Sequence, residues 1–354
     1  MRLQQELQFI GAWSAGVLSA GALFFALSQT GVGPLLWFFL AGSLWLYCWL
    51  QTWRRRDLNR PNMTSPSYAD LGWANRLTLL RGGLIALTGG FLFQSPSGIA
   101  AWMPGILYSV AAILDRTDGW VARRSGRTSL LGKELDTEMD ALGLLVAPLL
   151  AVTLGKFHWS FLAVSAAYYI FIAGLHWRRR QQLTVYPLPP SVLRRTLAGL
   201  QMGFVALVLF PVFSAEFTRI LGVAFMVPIL AGFLVDWLAV SGRLQSESPF
   251  FLRIASFGQY IFIPVLRICV GLLMIGGVIW GEVQALMLLL GILIVAGAGT
   301  RTAAGVFLLV ATLTWTSLSA GNIALLLLSS WITILGGGAF CLWRGDDEWV
   351  TKQN

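Results

Sequence analysis

The chain has 354 residues, of which 56% are hydrophobic and 12% charged, where soluble domains run nearer about a quarter charged. Apolar stretches of about 18 residues or more, enough to cross the hydrocarbon of a bilayer, recur from end to end, so a soluble fold is excluded and an all-α integral membrane protein is expected. The net charge of +9 would suit nucleic acid if it lay along one face, but it follows membrane topology instead.

In chain order, about 12 spans are expected, at roughly 8–28, 33–52, 77–95, 99–122, 129–154, 159–177, 195–214, 220–241, 260–281, 284–299, 303–320 and 322–343. Residues 1–60 read as a transmembrane hairpin closed by the basic run WRRRDLNR, and PNMTSPS at 61–67 as a polar linker. Residues 68–245 then hold six spans joined by Arg-rich loops. SGRLQSESP at 241–249 marks the next boundary, and 250–354 hold four tighter spans and a charged tail. The first span is too long for a signal-peptide core and is expected to be retained. With the N-terminus inside, only Lys156 and Arg219 of the 25 basic residues fall in outer loops. This positive-inside bias puts both termini in the cytoplasm of a bacterial-type plasma membrane, against anionic lipid, with no nucleic-acid partner. Cys48, Cys269 and Cys341 lie in apolar runs without metal-ligand spacing and read as small buried hydrophobes.

The stretch DRTDGWVARRSGRTSLLGKELDTEMD, residues 115–140, holds Asp115, Asp118, Asp136 and Asp140, four of the 16 acidic residues. At i,i+3 and i,i+4 each pair shares one helix face, and Ser125 and Gly126 lie in the turn between the two helices. Gly119 and Ala122 leave open space beside the first pair. Four carboxylates in one place cannot all stay ionised without cations. Oxygen-only ligands without His or Cys suit Mg²⁺ or Mn²⁺, and two such ions clamp phosphoryl groups. Arg123, one turn beyond Asp118, is a bidentate phosphate partner by type.

The same run resembles the D-x2-D-G-x2-A-R-x8-G-x3-D-x3-D signature of the CDP-alcohol phosphotransferase family, matching at Asp115, Asp118, Gly119, Ala122, Arg123, Gly132, Asp136 and Asp140. The resemblance implies a six-helix core over 68–245, a CDP-linked lipid such as CDP-diacylglycerol bound through its diphosphate on two divalent ions, and a homodimer. It implies attack by an alcohol on the lipid-bearing β-phosphoryl group, with release of CMP in phospholipid biosynthesis. Asp115, Asp118 and Asp136 would ligate metal, Asp140 would act as general base with metal contact, and Gly119, Ala122, Arg123 and Gly132 would shape the CDP site.

Asn75, Thr78 and Arg81 resemble the N-x2-T-x2-R that opens the first core helix in many members, which implies contact with the CDP-lipid. Snorkelling of Arg81 to the interface is the plainer reading. PSVLRRTLAGLQ at 190–201 resembles the S-x2-G-K-x-K-T-x2-Q of several members at Ser191 and Gln201, with Arg195 replacing a Lys and Arg194, Leu197 and Ala198 departing. Arg194 and Arg195, with Arg178 to Arg180, would bind the phosphate of a phosphorylated polyol acceptor, or serve only as a positive-inside loop. Asp236 reads either as a functional intramembrane acid or as a partner for a core arginine. His158 and His176 lie too far apart for a metal site. The C-terminal spans resemble the DoxX-type membrane family around Arg267 and GAGTRTAAGVFLLVATL, and structural support or an oligomer interface is expected of them. The competing class is a non-enzymatic transporter or scaffold, whose acids would spread over several helices near the midplane rather than cluster at one edge.

Overall fold

A computed structural model describes residues 2–188, 192–244, 253, 256–277 and 284–351. The described residues are helical, with one isolated bridge between Ala298 and Trp343 and no strand. Among the described residues six helical stretches, at 2–27, 34–54, 98–124, 159–180, 215–240 and 258–276, are long and apolar enough to cross a bilayer. The protein is an all-α, multi-pass membrane protein. Its chain forms two compact units, one of Met1–Leu162 with Met202–Pro211, the other of Ala163–Gln201 with Val212–Asn354.

The first unit opens with a hairpin of α1 (Arg2–Leu27) and α2 (Pro34–Arg54). Gly31 turns the chain at φ +68°, and Pro34 starts α2, where its missing N–H costs nothing. Helix α3 (Gly72–Gly89) lies at the centre, packed against α2, α4 (Met103–Arg124) and α5 (Leu130–Thr153). Its small residues allow this. A Cβ on Gly82 would press on Met139 of α5 and lie 3.2 Å from Cys48 Sγ of α2, so the glycine brings three helices to one point. The stretch 202–211 closes the unit through Phe204 against Phe157 and Phe210 against Trp102, with ring centroids 5.5 and 6.0 Å apart.

The second unit holds α6 (Leu162–Arg180), the start of α7 (Val192–Val208), α8 (Ala215–Val240), α9 (Ile263–Gly277), α10 (Gln284–Ala296), α11 (Thr300–Thr314), α12 (Ala320–Leu335) and the short α13 (Gly345–Thr351). Helices α9 to α12 pack as a four-helix group, and α12 also packs on α8, where Trp331 Nε1 donates to Ala224 O at 3.2 Å. The last helix of that group is shorter than its apolar run suggested. It stops at Leu335 because Gly336 and Gly338 take positive φ, and the chain folds back. Arg267, 3% exposed, holds this return by donating to Gly337 O at 3.1 Å, Phe340 O at 3.0 Å and Cys341 Sγ at 2.8 Å. Of the three cysteines Cys48 is buried, Cys341 half-buried and Cys269 exposed on α9. An exposed apolar side chain is ordinary on a helix that faces lipid. Residues 245–249 of the second expected boundary, residues 278–281 of the ninth expected span, and Ser191 lie outside the described residues.

Candidate active site

Helix α4 ends at Arg124, and Gly126, at φ +63°, turns the chain back. Ser129 takes extended backbone as the N-cap of α5 and accepts from Gly132 N at 3.0 Å. The two helices therefore present their acidic residues together. Carboxylate oxygens of Asp115, Asp136 and Asp140 all lie within 4.8 Å of one another, close enough to hold a metal ion. Asp118 lies deeper, with 6% of its side chain exposed against 34% for Asp115, 51% for Asp136 and 49% for Asp140. The three outer acids thus face an opening, and the fourth stands behind them.

What stands among them is Arg81 of α3. It is 1% exposed, and both Nη groups point at the acids. Nη1 pairs with Asp115 and lies 3.6 Å from Asp118 Oδ2. Nη2 donates to Asp136 Oδ1 at 2.9 Å and to the Asp136 carbonyl at 3.1 Å, and lies 3.2 Å from Asp140 Oδ1. Arg81 does not snorkel to the interface. A guanidinium this buried needs acceptors around it, and here four acids against one cation leave an excess of negative charge. Its Nε has no hydrogen-bond partner. One turn before it, Thr78 Oγ1 donates to Asp118 Oδ2 at 2.8 Å.

Asn75 is placed differently. Its Nδ2 donates to Asn59 Oδ1 and to Ser129 Oγ, each at 3.1 Å, so it ties α3 to the N-cap of α5. Gly132 serves this contact, since a Cβ there would lie 2.5 Å from Asn75 Oδ1. Gly119 and Ala122 lie half-buried along α4, and the exposed Arg123 folds back over Gly119, 3.3 Å from where a Cβ would sit. In the second unit, Arg194 forms a two-pronged pair with Asp236, Nε to Oδ2 at 2.6 Å and Nη2 to Oδ1 at 2.7 Å. Asp236 is therefore an arginine's partner. Arg195 lies on the same helix, with its side chain outside the described residues. His158 and His176 engage local partners, Ser160 and Ile172.

Sequence reasoning did not select Tyr108, buried with its hydroxyl 3.4 Å from Gly143 O one turn past Asp140. Nor did it select Glu138, which accepts from Tyr47 Oη at 2.5 Å and Arg55 Nη2 at 2.7 Å. The signal for Glu138 was available: an acid inside an apolar helix, off the face of the other two, needs a partner elsewhere.

No curated protein and no solved structure matches the chain. Residues 71–235, from α3 through most of α8, match the family model CDP-alcohol phosphatidyltransferase, a family that uses divalent metal to move a phosphatidyl group from a CDP-alcohol to an alcohol acceptor in lipid synthesis. The acidic cluster lies inside residues 71–235, the stretch that is similar to the CDP-alcohol phosphatidyltransferase family, and that likeness supports a membrane-embedded phosphotransferase.

Proposed function

We propose that the protein transfers the phosphatidyl, or substituted phosphoryl, group of a CDP-linked lipid such as CDP-diacylglycerol to an alcohol, with CMP as leaving group. The observation that carries this reading is the convergence of Asp115, Asp136 and Asp140 within 4.8 Å on two helices of the matched domain. The donor set fits a hard divalent ion: it is oxygen-only, and Arg81 balances only part of its charge. Asp115, Asp136 and Asp140, with Asp118 behind them, would hold Mg²⁺ or Mn²⁺ in a two-ion set. Bound divalent ions supply charge neutralisation at the diphosphate.

The remaining work falls to side chains. A carboxylate oxygen of Asp140, half exposed, takes the acceptor's hydroxyl proton as the acceptor's hydroxyl oxygen attacks the β-phosphoryl group, and the bond to CMP breaks with its electron pair going to CMP. Arg81 and Thr78 fix Asp115 and Asp118 before substrate arrives, so little reorganisation is left for the reaction. Gly119 and Ala122 leave room on α4 for the CDP moiety, and the exposed Arg123 reaches a phosphate. Asn75 and Gly132 act on the CDP site through the turn they hold.

The Arg-rich loops, with Arg194 and Arg195 at the head of α7, favour a phosphorylated polyol such as glycerol phosphate or inositol phosphate. Since Arg194 is engaged by Asp236, its role is to pre-orient that helix start, with Arg195 and Arg178 to Arg180 left to meet the phosphate. The distribution of Lys and Arg supports an active site and both termini on the cytoplasmic side, and a homodimer and three parts, 1–60, 68–245 and 250–354, belong to the same proposal.

The test is CMP release by purified protein given CDP-diacylglycerol, Mg²⁺ or Mn²⁺, and a panel of alcohols. Release that needs metal and one acceptor is the expected result. Equal turnover of unphosphorylated alcohols would remove the phosphorylated-polyol reading. The absence of both release and metal-dependent CDP-lipid binding would overturn the transferase reading.

A further inference from the structure

The matched domain begins at residue 71, yet the residues before it make polar contacts with the segment that carries the acids. One set lies at the start of α5. Arg60 O accepts from Leu130 N at 2.8 Å, and Asn59, 0% exposed, accepts from Asn75, which in turn holds Ser129. Asp70 O accepts from Asn59 Nδ2 at 2.8 Å, and Asp70 Oδ1 takes Arg127 Nη2 at 2.9 Å. The other set lies two turns along, where Tyr47 of α2 and Arg55, just past its end, hold Glu138 at 2.5 and 2.7 Å.

Helix α5 is therefore pinned at residues 129–130 and again at 138, with Asp136 between the pins and Asp140 just beyond. A helix turns by about 100° per residue, so Glu138 points away from the face that Asp136 and Asp140 share with Asp115. A slip of one residue would carry both aspartates off that face. Apolar packing at Gly82, Cys48 and Met139 already joins α2 to α3 and α5, but apolar contact is not directional. A partly exposed ion pair adds little stability, while it does fix rotation and register.

We propose that residues 2–70 form a brace that sets the register of α5, with Tyr47, Arg55 and Glu138 as positioning residues for the aspartate site. The proposal rests on the transferase reading. It assigns the N-terminal hairpin a part in the chemistry although it lies outside the matched domain.

The experiment compares wild type, Tyr47→Phe, Glu138→Gln and Arg55→Lys, each as the full chain in detergent. Thermal midpoint, Mn²⁺ affinity of the protein alone by electron paramagnetic resonance, and kcat and KM for CMP release are measured together. The expected result is a kcat about tenfold lower and Mn²⁺ binding about tenfold looser in Tyr47→Phe and Glu138→Gln. KM for CDP-diacylglycerol and the thermal midpoint stay near wild type, and Arg55→Lys, which keeps the charge, retains most of kcat. Wild-type kcat and Mn²⁺ affinity in both variants would overturn the proposal, as would losses that only follow the thermal midpoint. Tyr47→Phe removes a single oxygen, so it carries the test should Glu138→Gln not fold. If wild type releases no CMP with any acceptor, the transferase reading fails on its own. Mn²⁺ affinity then decides: looser binding in the variants supports the brace, and unchanged binding removes it.

Discussion

Arg81 of α3 and Arg267 of α9 are both shielded from solvent, 1% and 3% exposed, yet Arg81 faces four carboxylates while Arg267 faces backbone carbonyls and a thiol. The first environment over-compensates its cation and leaves negative charge for something else to meet. The second holds its cation with neutral acceptors along one loop, Gly337 to Cys341. Burial of an arginine in a membrane helix is therefore no guide to function by itself. The charge left over after pairing is the better guide, and it separates a site built for cations from a loop built to stay in place.

The comparison is broken most severely at the acids. Asp140→Asn removes the proposed general base without changing shape, and CMP release should fall about 10²–10⁴-fold, as read by kcat with saturating metal and lipid. Arg81→Gln comes next. Removing one partner of a buried charge cluster costs about 3–5 kcal/mol, so the metal-free variant should melt well below wild type. Mn²⁺ should raise its midpoint more than it raises that of wild type, because the acids then lack their internal cation. An equal metal-induced rise in both would count against Arg81 as the cluster's counter-ion.

Arg267→Gln should cost about 1.5–3 kcal/mol, the scale of charged hydrogen bonds, and its melting point should respond to Mn²⁺ no more than wild type does. Its kcat should be unchanged, and a metal-dependent loss of kcat would dissolve the contrast between the two arginines. The smallest effect belongs to Glu6→Gln. Its pair with Arg76, Oε1 to Nε at 2.6 Å with Arg76 39% exposed, should contribute about 0.2–1 kcal/mol, measured by thermal melting and sensitive to salt.

The sites of the four aspartates were legible because helical spacing turns i,i+3 and i,i+4 into a shared face, and Ser125 and Gly126 announce the turn that brings the faces together. The membrane class followed from apolar length alone. What spacing could not supply was the third helix. Arg81, Thr78 and Asn75 sit on one side of α3, and one side was all that periodicity could say of them. The fold gives them three different tasks: Arg81 enters the cluster, Thr78 takes Asp118, and Asn75 turns to Ser129. Contacts between distant segments decide such roles. Glu138 shows the same limit, since its partners lie 83 and 91 residues away. Asp236 was read either as a functional acid or as the partner of a core arginine without naming which, and its partner is Arg194, because two intramembrane charges of opposite sign are cheapest when paired. The early end of α12 came from glycines that an apolar run of similar composition conceals.

The most direct test of the central claim is CMP release from CDP-diacylglycerol during a Mn²⁺ titration, with wild type and Asp140→Asn side by side. The account predicts release in wild type that is abolished by chelation and restored by metal, and little release from the variant at any metal concentration. Release by wild type that persists in chelator, or an Asp140→Asn variant as active as wild type, would contradict it.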